Sequence, residues 1–528
     1  MNGESFKRKI MIKEDIYKIL YEKLKSSNKE IKKISGIKRC LESSISNSLN
    51  PANNTDYLLK YIGSTETETS LKGSSDIDLI IGIHPYDSKE FKRILYLNKE
   101  INNLNLRENV NIVRDIATGS YYGIKVGFIG LDHHSDPSYS LEGDVLNHPD
   151  FSKVHLNNNQ KREVILTKLF FKNLEIKNRD LGGGFSTEQI IAYFGNFEEF
   201  LNYLSLNKPI FIDYSKKFNG ERSNMTISYP FCGLKNMSWR FSEEQFKRSV
   251  DYAKRILSDP EIFLEDSLIR FNKNLWVNRG QELSDKLDYS TPDIFLSKIE
   301  NRFIRNKLSK IPFKSLLDVG CGNGFSTRDM TYSLKDKIII GIDNNPLAIK
   351  NAINLVKHNK SSKYTFINAN LDSLNFKEGQ FDIIIAKRFL CNIPSDRLKE
   401  ETIKKMSSFL DSKGYLFIFD LIQEGYTKTN NIRKNINLEE LTQPNHTLIP
   451  KEKDIIQMAE SSSLKIDKIY DPTSTYYAST RILYPFLRKI FKKEESNIRF
   501  DSFLHRLPLF LPPMFNLGVD KLYIFKKK

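Results

Sequence analysis

The pattern of apolar and polar positions in the first 263 residues predicts a mixture of helices and strands. Residues 5–46 carry apolar side chains at helical spacing among lysines, which predicts helices. After a loop over NPANNTD, the segment YLLKYIGS predicts a strand that runs into a turn, and DIDLIIGI predicts a strand that enters a core. Residues 121–132 predict one more strand.

Helical patterns follow these strands. A basic helix is predicted around residues 160–177, and the Gly-rich break GGGFS separates it from a helix that ends near FGNF. Residues 241–258 have an amphipathic pattern, with Ser242 as the N-cap. Residues 264–275 predict a connecting segment.

Beyond this segment, strand-like runs alternate with helical patterns. The five runs are KSLLDVG, KIIIGID, KYTFINA, FDIIIAK and GYLFIFD. Such alternation predicts βαβ units in a mostly parallel sheet. Because 528 residues are too many for one core, we expect a multidomain protein of α/β and α+β type.

Composition and charge narrow the class of protein. A hydrophobic share of 39% is ordinary for a folded protein, and no apolar run has the roughly 18 residues needed to span a bilayer. We therefore expect a cytoplasmic protein with no membrane partner. A net charge of +16 suits RNA or nucleotide phosphates, although a Lys-, Asn- and Ile-rich composition also raises the charge everywhere. The four cysteines are far apart, which argues against disulfides and zinc ribbons.

The first chemical motif is Gly63-Ser64 followed by Asp76 and Asp78. Residues two apart in a strand point to the same face, so both carboxylates project together from DIDLII. Such a pair can coordinate Mg²⁺ ions that activate a hydroxyl and steady a triphosphate. The Gly-Ser turn can bring backbone N–H groups and a hydroxyl close to the phosphates.

The segment GSTETETSLKGSSDIDLIIGI resembles the head domain of class I (archaeal-type) CCA-adding enzymes, which are polymerase-β-like nucleotidyltransferases. The likeness continues through REVILTKLFFKNLEIKNRDLGGGFSTEQIIAYFGNFEEFL and covers roughly residues 10–263. It implies that Gly63 and Ser64 bind the triphosphate and that Asp76 and Asp78 are ligands of Mg²⁺ (or Mn²⁺). It also implies phosphate contacts from Lys168 and from His155.

The same resemblance implies a third carboxylate on a later strand, and Asp132 in GFIGLD matches best, with Asp136 and Asp144 as alternatives. Other histidines of this stretch are expected to be merely solvated. The chain departs from the family at Thr67, where an arginine is usual, and at Lys177, where a tyrosine is usual. We expect the family's body and tail domains, which measure tRNA, to be absent, because a second and unrelated motif begins where those domains would start. Addition of CCA is therefore not implied.

The second motif, SLLDVGCGNGFST, predicts a strand, a Gly-rich turn and the start of a helix. Its DxGxGxG form resembles class I S-adenosylmethionine-dependent methyltransferases. That resemblance implies cofactor binding by a set of residues at the ends of successive strands: Asp318, Gly320, Gly322, Gly324, Asp343, Asn370 and Lys387. Asp343 would receive the ribose hydroxyls, and Asn370 or its neighbours would lie beside the adenine.

The methyl acceptor is harder to predict. His446 is a candidate general base, although structural histidines are commoner. Tyr476, Tyr477 and Arg481 could line an acceptor pocket, although an aromatic cluster is more often core. No NPPY- or DPPY-type tetrapeptide follows the fourth strand, which argues against a base methylase and favours O-methylation.

We therefore predict a bifunctional transferase with three domains. They are a catalytic nucleotidyltransferase domain (residues 1–156), a CCA-enzyme-like second domain (157–263) and a methyltransferase domain (264–528). The expected substrates are an NTP (ATP and/or CTP) and S-adenosylmethionine, with an RNA 3′ end or a small molecule as acceptor. Two alternatives remain: an oligonucleotide second-messenger synthase, and an RNA-binding module with an inactive nucleotidyltransferase site.

Overall fold

The computed structural model describes residues 3–49, 55–72, 76–98, 101–109, 114–122, 124–283, 286–357, 361–491 and 506–528. The chain divides into two compact units, which we call the N-terminal unit (residues 1–267) and the C-terminal unit (residues 268–528).

The N-terminal unit contains a five-stranded sheet, a short two-stranded sheet and a set of helices. Its strands are β1 (Asp56–Ile62), β2 (Ile77–His84), β3 (Asn102–Asn109), β4 (Arg114–Tyr121), β5 (Ile124–Leu131), β6 (Ile210–Ile212) and β7 (Met225–Ile227). Its helices are α1 (Gly3–Leu24), α2 (Asn28–Ser46), α3 (Ser88–Leu97), α4 (Leu141–Leu146), α5 (His148–His155), α6 (Asn158–Asn173), α7 (Asn178–Leu181), α8 (Phe185–Phe194), α9 (Phe197–Ser205) and α10 (Glu243–Ser258).

The five-stranded sheet has the order β1-β2-β5-β4-β3. β2 pairs antiparallel with β1 and parallel with β5. Its run Leu79-Ile80-Ile81 is fully buried, as expected for a strand that is covered on both faces. The predicted strands of this region are confirmed, whereas β3 and β4 lack a clear pattern and were not predicted.

The helices of the N-terminal unit follow the predicted order, with one correction. Ser242 caps α10, because its side chain accepts a hydrogen bond from the N–H of Gln245 while the Gln245 side chain binds the N–H of Ser242. The expected connection over 264–275 is wrong, since these residues lie inside the helix α11 (Glu261–Leu283). The division between the units falls within α11.

The C-terminal unit is built on a seven-stranded sheet. Its strands are β8 (Ser315–Val319), β9 (Ile338–Asp343), β10 (Lys363–Asn368), β11 (Phe381–Lys387), β12 (Leu410–Leu421), β13 (Leu464–Tyr470) and β14 (Asp520–Lys527). Its other helices are α12 (Ile294–Leu308), α13 (Phe325–Thr331), α14 (Pro346–Val356), α15 (Asp396–Phe409), α16 (Gln423–Asn435), α17 (Glu452–Ser461), α18 (Ser474–Tyr477) and α19 (Tyr484–Ile490), with a π-helix at Ala478–Leu483.

The sheet order is β10-β9-β8-β11-β12-β14-β13. The five predicted strands, β8 to β12, pair in parallel, which confirms the predicted βαβ arrangement. β14 pairs antiparallel with both β12 and β13 and was not predicted. The expected multidomain α/β and α+β fold is thus confirmed. Among the described residues, none of the helices has the length and hydropathy of a membrane span.

Candidate functional sites

The Asp76–Asp78 pair lies at one end of the five-stranded sheet. Asp76 directly precedes β2 and Asp78 is the second residue of this strand, opposite Ile62 of β1. Asp76 is partly exposed, and one of its oxygens lies 3.2 Å from Nζ of Lys125. Burial, together with the charge of Asp76, raises the pKa of Asp78 to about 6. The carboxylate of Asp76 is therefore solvated, whereas that of Asp78 would be ionised more readily beside a cation.

The Gly63-Ser64 turn lies directly against Asp78. Gly63 has φ +78°, and a Cβ built on it would lie 2.5 Å from Oδ2 of Asp78. Only glycine allows both this backbone conformation and this approach. The structure thus brings the predicted phosphate-binding turn to the predicted metal-binding carboxylate.

A buried hydrogen-bond cluster holds the loop after Ser64. Oε1 of Glu188 in α8 accepts hydrogen bonds from the hydroxyls of Thr67 (2.8 Å) and Thr69 (2.7 Å). Ser152 donates to the other oxygen of Glu188. Thr67 thus supports the loop at the position where the family usually carries an arginine.

Lys168 belongs to the same cluster. Its Nζ donates to the carbonyl oxygen (3.0 Å) and the hydroxyl (2.9 Å) of Thr69 and lies 3.9 Å from Glu188. Burial lowers the pKa of Lys168. The side chain is therefore engaged in holding the loop that follows Ser64.

Asp132 does not lie with Asp76 and Asp78, which corrects the expectation for the third metal ligand. β2 and β5 are parallel, so their register places Gly127 opposite Asp78, whereas Asp132 follows the far end of β5. At about 3.3 Å per residue, Asp132 is roughly 16 Å from Asp78 along the sheet. Its oxygens instead bind Nδ1 of His84 at 2.9 and 3.1 Å.

Gly127 occupies the place where a carboxylate on β5 would meet Asp78. A Cβ on Gly127 would lie 2.7 Å from Oδ1 of Asp78. The two other candidates for the third ligand, Asp136 and Asp144, are hydrogen-bonded to other parts of the chain. Asp144 accepts the N–H groups of Phe231 and Cys232, and Asp136 accepts that of Ser138. Within the described part of the chain, no third His, Cys, Asp or Glu completes a metal-binding group with the pair.

The two carboxylates of Asp76 and Asp78 suffice to bind one Mg²⁺ ion. Two Mg²⁺ ions would need a third carboxylate, and Gly127 stands at that position. Mg²⁺ commonly uses one or two carboxylates plus substrate phosphates, and the turn at Ser64 lies beside the pair. His155, on α5, contacts aromatic side chains. Its ring is exposed and packs on Phe151 (4.2 Å) and Tyr214 (5.2 Å between ring centroids).

In the C-terminal unit, the three glycines of the DxGxGxG motif all have positive φ. The values are +75° for Gly320, +54° for Gly322 and +76° for Gly324. Asp318, on β8 just before this turn, is buried and accepts a hydrogen bond from Oγ1 of Thr327 at 2.5 Å. Burial raises the pKa of Asp318 to about 6. The turn and the carboxylate form a compact polar cradle.

Asp343, the last residue of β9, faces this cradle. Its two oxygens accept the N–H groups of Gly322 (3.0 Å) and Asn345 (2.9 Å). Burial raises its pKa. An acidic side chain beside a left-handed glycine turn, at the C-terminal edge of parallel strands, fits a cofactor that carries hydroxyls and a positive charge.

Two aromatic residues that cover the C-terminal edge of the parallel strands, Trp276 and Tyr289, were not predicted from the sequence. The ring of Tyr289 lies 3.0 Å from where a Cβ of Gly322 would be, and its hydroxyl lies 3.1 Å from Nδ2 of Asn345. Nδ2 of Asn345 also donates to the carbonyl of Trp276 in α11. Nothing in the local sequence marks Trp276 and Tyr289, because their role depends on a contact with strands that come later in the chain.

Asn370 and Lys387 have different surroundings. Asn368 pairs with Asp343, so the exposed Asn370 lies at the same edge of the sheet, where it accepts a hydrogen bond from Asn344. Lys387 is buried, and its Nζ binds Asn301 (2.7 Å) and Glu300 (3.0 Å). Lys387 is thus held by α12.

The structure brings His446 to the edge that carries the cofactor motif. Its ring lies edge-on to that of Trp276, with centroids 5.8 Å apart, and the N–H of Leu448 binds the carbonyl of Cys391 after β11. Tyr476 and Tyr477 are instead buried in a hydrophobic cluster, where their hydroxyls bind Asp293 and Asp520. These two tyrosines are core residues, and Tyr476 also lines a small cavity together with Ile299 and Phe303.

Comparison with known proteins finds a likeness for each half of the chain. A family model described as a methyltransferase domain matches residues 313–474. The CCA-adding enzyme of Methanosarcina mazei is 23% identical over 314 residues, which cover 54% of this chain and 66% of that enzyme. The chain is CCA-adding-enzyme-like in its N-terminal half and carries a methyltransferase domain in its C-terminal half. Both predicted resemblances, and their fusion in one polypeptide, are confirmed.

The comparisons also found a second CCA-adding enzyme and a solved structure. The CCA-adding enzyme of Saccharolobus solfataricus is 26% identical over 213 residues, covering 38% of this chain and 51% of that enzyme. The chain thus spans between half and two thirds of the length of these curated relatives. Among solved structures, a SAM-dependent methyltransferase of Methanosarcina mazei aligns with 42% of this chain and 96% of its own, at 18% identity and a TM-score of 0.28.

Proposed function

We propose that the protein is a bifunctional transferase, which moves a nucleotidyl group with its N-terminal unit and a methyl group with its C-terminal unit. The same observation in both units supports this proposal: each unit places a left-handed glycine turn against a half-buried carboxylate. In the N-terminal unit the contact is Gly63 with Asp78, and in the C-terminal unit it is Gly322 with Asp343. Both turns lie in the segments that carry the family likenesses.

The domain organisation that accompanies this proposal has three parts. Residues 1–156 form the nucleotidyltransferase domain, 157–263 the CCA-enzyme-like second domain and 264–528 the methyltransferase domain. A single chain holds the two sites at a high effective concentration, which favours consecutive action on one substrate. We place the protein in the cytoplasm.

In the nucleotidyltransferase domain, Asp76 and Asp78 would hold one Mg²⁺ (or Mn²⁺) together with the triphosphate of ATP or CTP. Ser64 and the backbone of its turn would bind the phosphates. Lys168 would position the turn through Thr69 rather than contact phosphate itself, because its ammonium group is already bound there. The acceptor is a hydroxyl of an RNA 3′ end or of a small molecule.

A second candidate function is favoured by a specific observation. Gly127 stands where a third carboxylate would meet Asp78, and Lys125 lies against Asp76. A site with two carboxylates and a neighbouring lysine suits the binding of nucleotide phosphates without transfer. The N-terminal unit would then be an RNA- or nucleotide-binding module that delivers a substrate to the methyltransferase domain.

In the methyltransferase domain, S-adenosylmethionine when bound supplies an electrophilic methyl group. Asp318 and the turn from Gly320 to Gly324 would hold its amino-acid end, Asp343 its ribose hydroxyls and Asn370 its adenine. His446 would accept the proton of an acceptor hydroxyl, which makes O-methylation the expected reaction. Lys387 would fix α12 against the sheet, because its Nζ binds Asn301 and Glu300.

The test of the N-terminal assignment is pyrophosphate release. Wild-type protein is incubated with Mg²⁺, ATP or CTP and total RNA, beside a double variant Asp76→Ala, Asp78→Ala. The proposal expects release by the wild type and none by the double variant. ATP binding without release in the wild type would select the second candidate, and equal release by both proteins would refute the site.

A further inference from the structure

Side chains with metal-ligating chemistry gather at the end of the N-terminal sheet opposite the Asp76–Asp78 pair. β1 begins at Asp56, β2 ends at His84, and the register pairs these two residues directly. The turn after β5 adds three more side chains. The five residues are Asp56, His84, Asp132, His133 and His134.

Three of these residues present their ligand atoms to one another. Oδ2 of Asp56 lies 3.1 Å from Nε2 of His133 and 3.0 Å from Nε2 of His134. The three atoms all lie within 4.8 Å of one another. In a tetrahedral zinc site with bonds of about 2.0–2.1 Å, two ligand atoms are about 3.3 Å apart. Small side-chain rotations therefore suffice to bring these atoms around one ion.

The side chain of His133 is buried, which fixes its position within the cluster. Its side chain is only 9% exposed and packs on Gly82, where an added Cβ would lie 2.6 Å from Cβ of His133. Its Nδ1 is buried without a hydrogen-bond partner. Packing therefore holds this ring in place, with its Nε2 directed at Asp56.

His134 is oriented by its neighbours. The ring of His84 stacks on it in parallel, with centroids 3.9 Å apart and planes 2° apart. Asp132 binds Nδ1 of His84 and also accepts the backbone N–H of His134 at 3.0 Å. Asp132 thus holds His134 in place through its backbone and through the stacked ring of His84.

We propose that Asp56, His133 and His134 form a binding site for a divalent transition-metal ion of the Zn²⁺ type, separate from the nucleotidyltransferase site. Two imidazoles and one carboxylate suit such ions, whereas Mg²⁺ prefers oxygen ligands alone. The site is six residues along β2 from Asp78, which is roughly 20 Å. Asp56 and His134 are exposed, so the remaining coordination positions face solvent and can take water or a further ligand.

The test uses the full-length chain without an affinity tag, after removal of metals by chelation. Titration with Zn²⁺ by calorimetry, and with Co²⁺ by visible absorption, should show roughly one tight ion per chain. The variants His134→Ala and Asp56→Asn change side chains that are 51% and 62% exposed, so the fold should persist. Each variant loses a direct ligand. Zn²⁺ binding should therefore weaken by more than about 100-fold, which is the most that is typically lost when only a residue behind a ligand is changed.

Matched controls separate this site from others in the chain. His155→Ala removes an exposed histidine outside the cluster and should leave Zn²⁺ affinity unchanged, as should Asp76→Asn. Asp132→Asn should weaken binding by about 10–100-fold through the loss of imidazole orientation. The proposal is overturned if the wild type binds Zn²⁺ no more tightly than His134→Ala, or if His155→Ala or Asp76→Asn weakens binding as much.

Discussion

Replacing Asp343 with alanine should weaken the binding of S-adenosylmethionine. The carboxylate of Asp343 accepts the N–H groups of Gly322 (3.0 Å) and Asn345 (2.9 Å), and it is the acidic group that the ribose hydroxyls would meet. A hydrogen bond to a charged group contributes about 1.5–3 kcal/mol. The loss of this interaction with the ribose therefore corresponds to about a tenfold to a hundredfold weaker affinity.

A matched control distinguishes this effect from general damage to the fold. Asp382, at the start of β11, likewise accepts two backbone N–H groups, those of Lys314 (2.7 Å) and Ser315 (2.9 Å). It lies at the opposite, N-terminal edge of the same parallel strands. Asp382→Ala should therefore remove two backbone hydrogen bonds while leaving cofactor affinity unchanged.

Calorimetric titration of wild type, Asp343→Ala and Asp382→Ala with S-adenosylmethionine measures the difference. The melting temperatures of the three proteins report the loss of stability. Unchanged affinity in Asp343→Ala would refute the reasoning. An equal loss of affinity in both variants would show that the effect comes from the sheet rather than from a contact with the cofactor.

Three further changes have expected outcomes. The pKa of Asp318 is raised to about 6, so between about pH 4 and 6 the folded state keeps a proton that the unfolded state has lost. Its contribution to the free energy of unfolding falls by roughly 3 kcal/mol as pH rises through this window. Urea denaturation at pH 4 and pH 7 should show that Asp318→Asn removes this part of the fall in the free energy of unfolding. An unchanged fall in the variant would contradict the raised pKa of Asp318. Gly127→Asp places a carboxylate beside Asp78 and should raise pyrophosphate release, whereas Gly127→Ala should not; equal rates would show that a third carboxylate is not what limits transfer. His446→Ala should lower methyl transfer at least about tenfold, within the range for general-base catalysis, and leave the affinity for S-adenosylmethionine unchanged; an unaltered rate would make His446 structural.

The parts of the fold that local pattern determines were predictable from the sequence. β2 and β11 are continuous apolar runs because they are buried on both faces, and the N-cap Ser242 is visible as Ser-x-x-Gln. β3 and β14 were missed, because a strand with mixed polarity is stabilised by its neighbours rather than by its own pattern. The helix over 264–275 was missed because it lacks a clear apolar stripe.

The candidate sites were predictable to the extent that each residue lies next to its partners in sequence. The Asp76–Asp78 pair and the turn at Gly322 are local, so their arrangement follows from strand and turn geometry. Asp132 was misplaced because the choice depended on the register of β5 against β2, which only the folded sheet reveals. In the folded sheet β2 and β5 are parallel and their beginnings lie together, so the position that faces Asp78 is Gly127, near the start of the GIKVGFIGL run.

Mass spectrometry of the products measures whether one chain performs both transfers. The full-length protein is incubated with Mg²⁺, all four NTPs, S-adenosylmethionine with a deuterated methyl group, and total RNA with its small-molecule fraction. The account predicts a nucleotidyl addition that disappears in the double variant Asp76→Ala, Asp78→Ala, and a deuterated methyl addition that is diminished in Asp343→Ala. Formation of neither product by the wild type, or of both products at undiminished yield by these variants, would contradict it.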